Sequence, residues 1–109
     1  MPDYYIQEPY ILDENGNPKK EPDVKKWAKW FGRADRHIGY TKIGRVNIST
    51  IFLGMVSIDN GFTCDKPVLW ETMIFGGKHD QYQERYCTKE EALIGHEKAV
   101  ELVKDGAVS

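Results

Sequence analysis

The sequence predicts an α+β fold: a two-layer sandwich in which an antiparallel meander of three to four strands carries two helices on one face, in the order β-α-β-β-β-α. Three observations lead there. Val24, Trp27, Ala28, Phe31, Ala34 and Ile38 fall on one stripe at i, i+3, i+4, i+7 spacing, the period of an amphipathic helix. Val68 to Phe75 alternates, with Val68, Trp70, Thr72 and Ile74 on one side and Leu69, Glu71, Met73 and Phe75 on the other, and Gly76-Gly77 then turns the chain into a more polar strand. Thr88 and Glu91 stand at capping-box spacing, where hydroxyl and carboxylate satisfy two orphan backbone donors reciprocally. Strands joined by short loops pair as antiparallel neighbours, and the helices need a sheet face to bury against. With 109 residues the chain is expected to form a single domain, 1–109.

The elements follow in order. Tyr4 to Leu12 carries the aromatic and β-branched residues of a strand, and Asp13 to Pro18 supplies a strong turn signal. Asp23 is placed to cap a helix from Val24 to about Ile38, and either Pro22 or Asp23 could mark its boundary. Lys25, Lys26, Lys29 and Arg33 lie off its apolar stripe, Trp30 sits beside it, and Gly32 suggests close packing or a bend. Lys42 to Ile58 reads as a strand by its β-branched content, alternating cleanly at Val46, Ile48, Thr50 and Phe52. Asp59 to Pro67 is a loop. Val68 to Phe75 is the next strand, Gly76 to Gln81 closes a hairpin, and Tyr82 to Cys87 is the third strand of the meander. Lys89 to Lys104 is helical and Asp105-Gly106 ends it.

Composition excludes more than it assigns. The hydrophobic fraction of 40% is that of a globular chain. A net charge of -2 lacks the Lys/Arg excess of a phosphate-tracking domain, so no nucleic acid is expected as partner. No apolar run approaches the ~20 residues that cross a bilayer, so no membrane is expected either. Cys64 and Cys87 stand apart rather than at metal-ligand spacing, and two ordinary thiols in a reducing cytoplasm are the simplest expectation.

Glu71 and His96 are the ionisable residues set most clearly inside apolar patterns. Glu71 could act as a general base or receive a basic group; the plainer reading is a cross-strand pair with Arg85 or Arg45. His96 shares its helical stripe with Ala92, Ala99, Val100 and Val103, where an imidazole needs a partner for at least one ring nitrogen. A pocket joining Glu71, His96 and Arg85 would resemble half of an acid-base pair, whereas histidines on such faces are more often structural. Cys64, His79, Cys87 and His96 suit zinc chemically but contain no closely spaced ligand pair, so no metal and no cofactor are expected. Cys87 precedes a helix, which would favour a thiolate, yet one Cys and one His are not a triad. Gly76-Gly77 leads into a strand, not a helix, and is read as a hairpin turn rather than a phosphate loop. Among the aromatic residues, Trp30, Tyr10 and Tyr5 are the candidates for contacting a partner.

Asn47 to Gly54, Trp70-Glu71-Thr72-Met73-Ile74-Phe75-Gly76-Gly77, Arg85 to Ala92 and Gly95-His96-Glu97 together resemble a group of small bacteriophage and prophage proteins of uncharacterised function. The resemblance spans about residues 45 to 103. It implies a phage origin, a compact accessory protein and a place in the host cytoplasm, and it transfers no catalytic or binding residue. Two readings follow. The first is a non-catalytic protein that docks on a host protein, including one of a defence or regulatory system. The alternative is a small-ligand domain or enzyme built on a Glu71/His96 pocket. Self-association as a homodimer is compatible with both, since an open sheet leaves edges to cover.

Overall fold

The structure, a computed structural model, describes residues 9–55 and 68–108. Its elements are β1 (Tyr10–Leu12), β2 (Pro18–Lys20), α1 (Val24–Arg33), β3 (His37–Ile43), β4 (Val46–Phe52), β5 (Trp70–Phe75), β6 (Gln83–Tyr86) and α2 (Lys89–Val108). β3 to β6 form the expected antiparallel meander, in the order β3-β4-β5-β6, and β1-β2 is a separate two-stranded hairpin. The α+β expectation holds.

The hairpin is closed by Asp13, whose carboxylate accepts the Asn15 and Asn17 backbone N–H groups, both at 2.9 Å. The backbone N–H of Tyr10 donates to the Gly54 carbonyl at 2.8 Å, and Pro9 bridges to Met55. The hairpin is therefore tied to the end of β4 without extending its sheet. Asp23 caps α1 as expected, accepting the Lys25 and Lys26 N–H groups.

Three boundaries differ from expectation. α1 ends at Arg33, not Ile38. Asp35 accepts the backbone N–H of His37 at 3.1 Å, a local turn that competes with another helical turn. Ile38 then serves a strand. The strand expected over 42–58 is two strands in its first half, because Gly44-Arg45 is a two-residue turn between Ile43 and Val46, with Gly44 at φ +60°. The element order thus gains β2 and β3. α2 runs through Gly106 to Val108. The part of the strand beyond Met55, the loop 59–67 and Tyr4 to Glu8 lie outside the described residues.

α2 lies on one face of the meander and reaches all four strands. Its start is the expected capping box: Glu91 Oε1 accepts the Thr88 N–H at 3.1 Å, and Thr88 Oγ1 accepts the Glu91 N–H at 3.1 Å. Under it sit two apolar clusters. One gathers Tyr10, Phe52, Leu69, Trp70 and Ala92, with Trp30 packed edge-on against Phe52 from the same side. The other gathers Ile48, Ile74, Ala99, Val100 and Val103. Along β4 the inward positions read Ile48, Thr50, Phe52, and along β5 Trp70, Thr72, Ile74, so a polar layer separates the two clusters.

Candidate functional site

That polar layer is where His96 lies. α2 lowers the imidazole onto β3 and β4, with Nε2 2.9 Å from Thr41 Oγ1 and Nδ1 2.7 Å from Thr50 Oγ1. Thr50 Oγ1 is in turn 2.5 Å from Thr72 Oγ1. A neutral imidazole has one donor and one acceptor nitrogen. The Thr41, His96, Thr50 and Thr72 groups therefore form a chain whose direction of donation is set by which ring nitrogen carries the proton, and in either tautomer both ring nitrogens are satisfied. Gly39 makes room on β3: a methyl there would lie 3.0 Å from the ring. Burial pushes the His96 pKa below its ordinary value, and the Glu97 carboxylate pulls weakly the other way. Tyr86 closes the layer on the β6 side, its ring and hydroxyl lying where a side chain at Gly95 would be. Burial raises the Tyr86 pKa, and neighbouring Thr72 offsets part of that rise without reaching hydrogen-bond geometry.

Glu71 points to the other face of the sheet. It follows Trp70 and precedes Thr72, both of which turn toward α2, and strand alternation sends its carboxylate away from the helix. Directly across the ladder stands Arg85, whose Nε donates to Glu71 Oε2 at 2.8 Å. Gln83 Nε2 donates to the same oxygen. The structure thus joins Glu71 with Arg85 and separates both from His96. The three-residue pocket does not form, because a four-stranded sheet stands between its intended members. Arg45, the other cation weighed for Glu71, lies in the β3-β4 turn.

Glu71→Gln keeps the shape and removes the charge-assisted bond, with an expected loss of about 1–3 kcal/mol. Combined with His96→Ala, the two losses should add to within ~0.5 kcal/mol, as for sites without shared partners. Urea denaturation of both single variants and the double checks this. A coupling above ~1 kcal/mol would mean that the two faces communicate.

No family model, curated protein or solved structure matches this chain. The candidate surface must therefore be read from geometry and charge.

Of the aromatic candidates, Tyr10 is corrected: it is 9% exposed and belongs to the core, packed there because β1 inserts it beside Phe52. Tyr5 lies outside the described residues. Trp30 is half-buried, one side against Phe52 and the other lining a shallow depression with Lys29, Arg33 and Ala34. Trp27 also serves the fold, its Nε1 donating to the carbonyls of Tyr10 (3.1 Å) and Gly54 (2.9 Å). The expectation of two thiols is corrected as well. Cys87 is disulfide-bonded, and Cys64, the chain's one other cysteine, lies outside the described residues. Among the described residues no three His, Cys, Asp or Glu side chains gather as a metal site, and no helix is long and apolar enough to cross a membrane.

Composition as a whole conceals a feature of α1. The helix carries Lys25, Lys26, Lys29 and Arg33 and no carboxylate. Lys25, Lys29 and Arg33 repeat every four residues, about 6 Å apart along the axis. Among the described residues none of the four forms an ion pair. Residues 19–36 hold seven cations against three carboxylates, and the rest of the chain eight against fourteen. A net charge near zero is thus the sum of a basic end and an acidic body.

Proposed function

We propose that this protein is a non-catalytic accessory factor, of phage origin, that acts by docking on an acidic surface of a host protein through α1. What carries the reading is the unpaired basic stripe beside Trp30. Like charges at i, i+4 destabilise a helix by a few tenths of a kcal/mol per pair, and two lysines in the first turn oppose the helix dipole. The Asp23 carboxylate at the N-cap offsets the dipole cost, but among the described residues none of the four cations forms an ion pair, so an external carboxylate is the natural counterpart of the stripe. Trp30 adds an aromatic anchor of the kind that dominates interface energetics. Support also comes from how the ionisable residues are used: Glu71 is held by Arg85 and Gln83, and His96 by two threonines, as structural groups. An acidic protein patch suits the stripe better than a nucleic acid, because an extended polyanion would run on into the acidic body of the chain.

The test is recovery of partners from bacterial host lysate by the tagged protein at low and high salt, with and without nuclease. A protein partner should be held at low salt, released at high salt and unaffected by nuclease. Lys29→Glu/Arg33→Glu and Trp30→Ala, shown by circular dichroism to be folded, should each lose it at least tenfold. Recovery of nothing at any salt, or equal recovery by the charge-reversed variant, sinks the reading. Nuclease-sensitive recovery would replace it with nucleic-acid binding.

A further inference from the structure

β3 lies at the end of the sheet. One edge is bonded to β4, and among the described residues nothing pairs with the other. At seven residues it is longer than β6, the four-residue strand at the opposite end. Such an edge presents backbone donors and acceptors that another strand can pair with.

The turn shows which groups face out. Gly44-Arg45 is a two-residue turn, so Ile43 and Val46 are its hydrogen-bonded closing pair. Bonded and non-bonded pairs alternate along an antiparallel ladder. The backbone groups of Thr41 and Gly39 therefore face β4, and those of Tyr40 and Lys42 face the open edge. The register shift between His37 and Gly39 ends the regular part of the edge on its other side.

We propose that this edge pairs with the same edge of a second copy of the chain, about a two-fold axis at Thr41, joining the two meanders into one continuous sheet. In that register the outward groups of Tyr40 bond to those of Lys42 in the second copy, and reciprocally. Thr41 meets its own equivalent on the α2 side, a favourable cross-strand pair. Gly39 lies opposite the second copy's Ile43, and the space above it is filled by the His96 ring of its own chain. On the outer face each Lys42 lies opposite a Tyr40, which is 57% exposed in the single chain and whose hydroxyl donates to Asn47 Oδ1 on β4. Neighbouring registers are poorer. An axis at Lys42 sets two lysines against each other, and an axis at Tyr40 requires Ile38, within the register shift. A lysine on an edge strand usually blocks pairing; here the self-pairing register sets it opposite Tyr40.

Light scattering on the size-fractionated full chain, from micromolar to millimolar concentration, tests this. The wild type should reach twice the chain mass. Tyr40→Lys sets lysines opposite one another at both ends of the contact and should stay at the single mass, with an unchanged circular dichroism spectrum. Tyr40→Lys/Lys42→Glu places opposite charges across the same positions and should return to twice the mass. Under mild oxidation, an equimolar mixture of Tyr40→Cys and Lys42→Cys should cross-link several-fold more than either alone. A wild type that stays monomeric, a Tyr40→Lys variant that dimerises as well as the wild type, or cross-linking as strong in Tyr40→Cys alone would each overturn the proposal.

Discussion

Replacing His96 with alanine is expected to destabilise the domain by about 2–4 kcal/mol. The change opens a cavity in the layer between the two apolar clusters, and it leaves the hydroxyls of Thr41 and Thr50 without the nitrogens they face. Thr50 keeps Thr72 as a neighbour, so the damage should fall mainly on the β3 side. Urea denaturation at neutral pH measures the loss. If His96→Ala costs less than ~0.5 kcal/mol, the effect of an ordinary surface change, the imidazole does not organise the layer. The same residue sets a pH dependence. Its native pKa lies below the ordinary value of 6.5 because burial disfavours the imidazolium. The unfolded chain therefore binds its proton first as pH falls, and stability drops with it. The His96 contribution is complete above about pH 6.5 and declines from there down to the lowered native pKa, below which it levels off. The difference between wild type and His96→Ala should narrow over that window.

Gly95→Ala should lower stability by about 1–3 kcal/mol, although alanine is the better helix former by ~1 kcal/mol. A methyl at Gly95 would overlap the hydroxyl and ring of Tyr86, which β6 holds against the helix. Either α2 lifts off the sheet or Tyr86 leaves its place. Gly95→Ala/Tyr86→Leu should recover part of the loss, since the overlapping atoms are gone. Gly32→Ala is the control with the opposite sign. Nothing lies within 4 Å of a methyl built there, so the variant should gain roughly 0.5–1 kcal/mol from helix propensity alone. Thermal melts of the variants decide it. A stabilised Gly95→Ala would mean that α2 does not approach β6 this closely.

Gly32 and Gly95 show where reading the sequence runs out. Both stand inside helices, and Gly32 suggests close packing or a bend. The close approach is at Gly95, because α1 is a peripheral helix with no buried residue while α2 crosses the whole sheet. The β3 strand was missed for a related reason. Ile38 completes a helical stripe and also suits a strand, and a period cannot choose between them at a boundary. Asp35 and the Gly44-Arg45 pair were the local signals that could have decided it. Trp30 and Tyr10 read alike as aromatic candidates; burial in the first apolar cluster separates them.

Wherever local chemistry suffices, the sequence alone determined the outcome. The Thr88/Glu91 box starts α2, Asp23 caps α1, Gly76 and Gly77 turn β5 into β6 at positive φ, and the strict alternation of β5 makes it a strand. Each depends on residues within a few positions of one another. The tertiary structure alone decided which face of β5 meets α2, and so that Glu71 and His96 lie on opposite sides of the sheet. Both faces of β5 are apolar enough to be covered, and alternation states only that they differ. The choice rests on the summed burial of four strands against one helix, a long-range quantity that no short window of sequence contains.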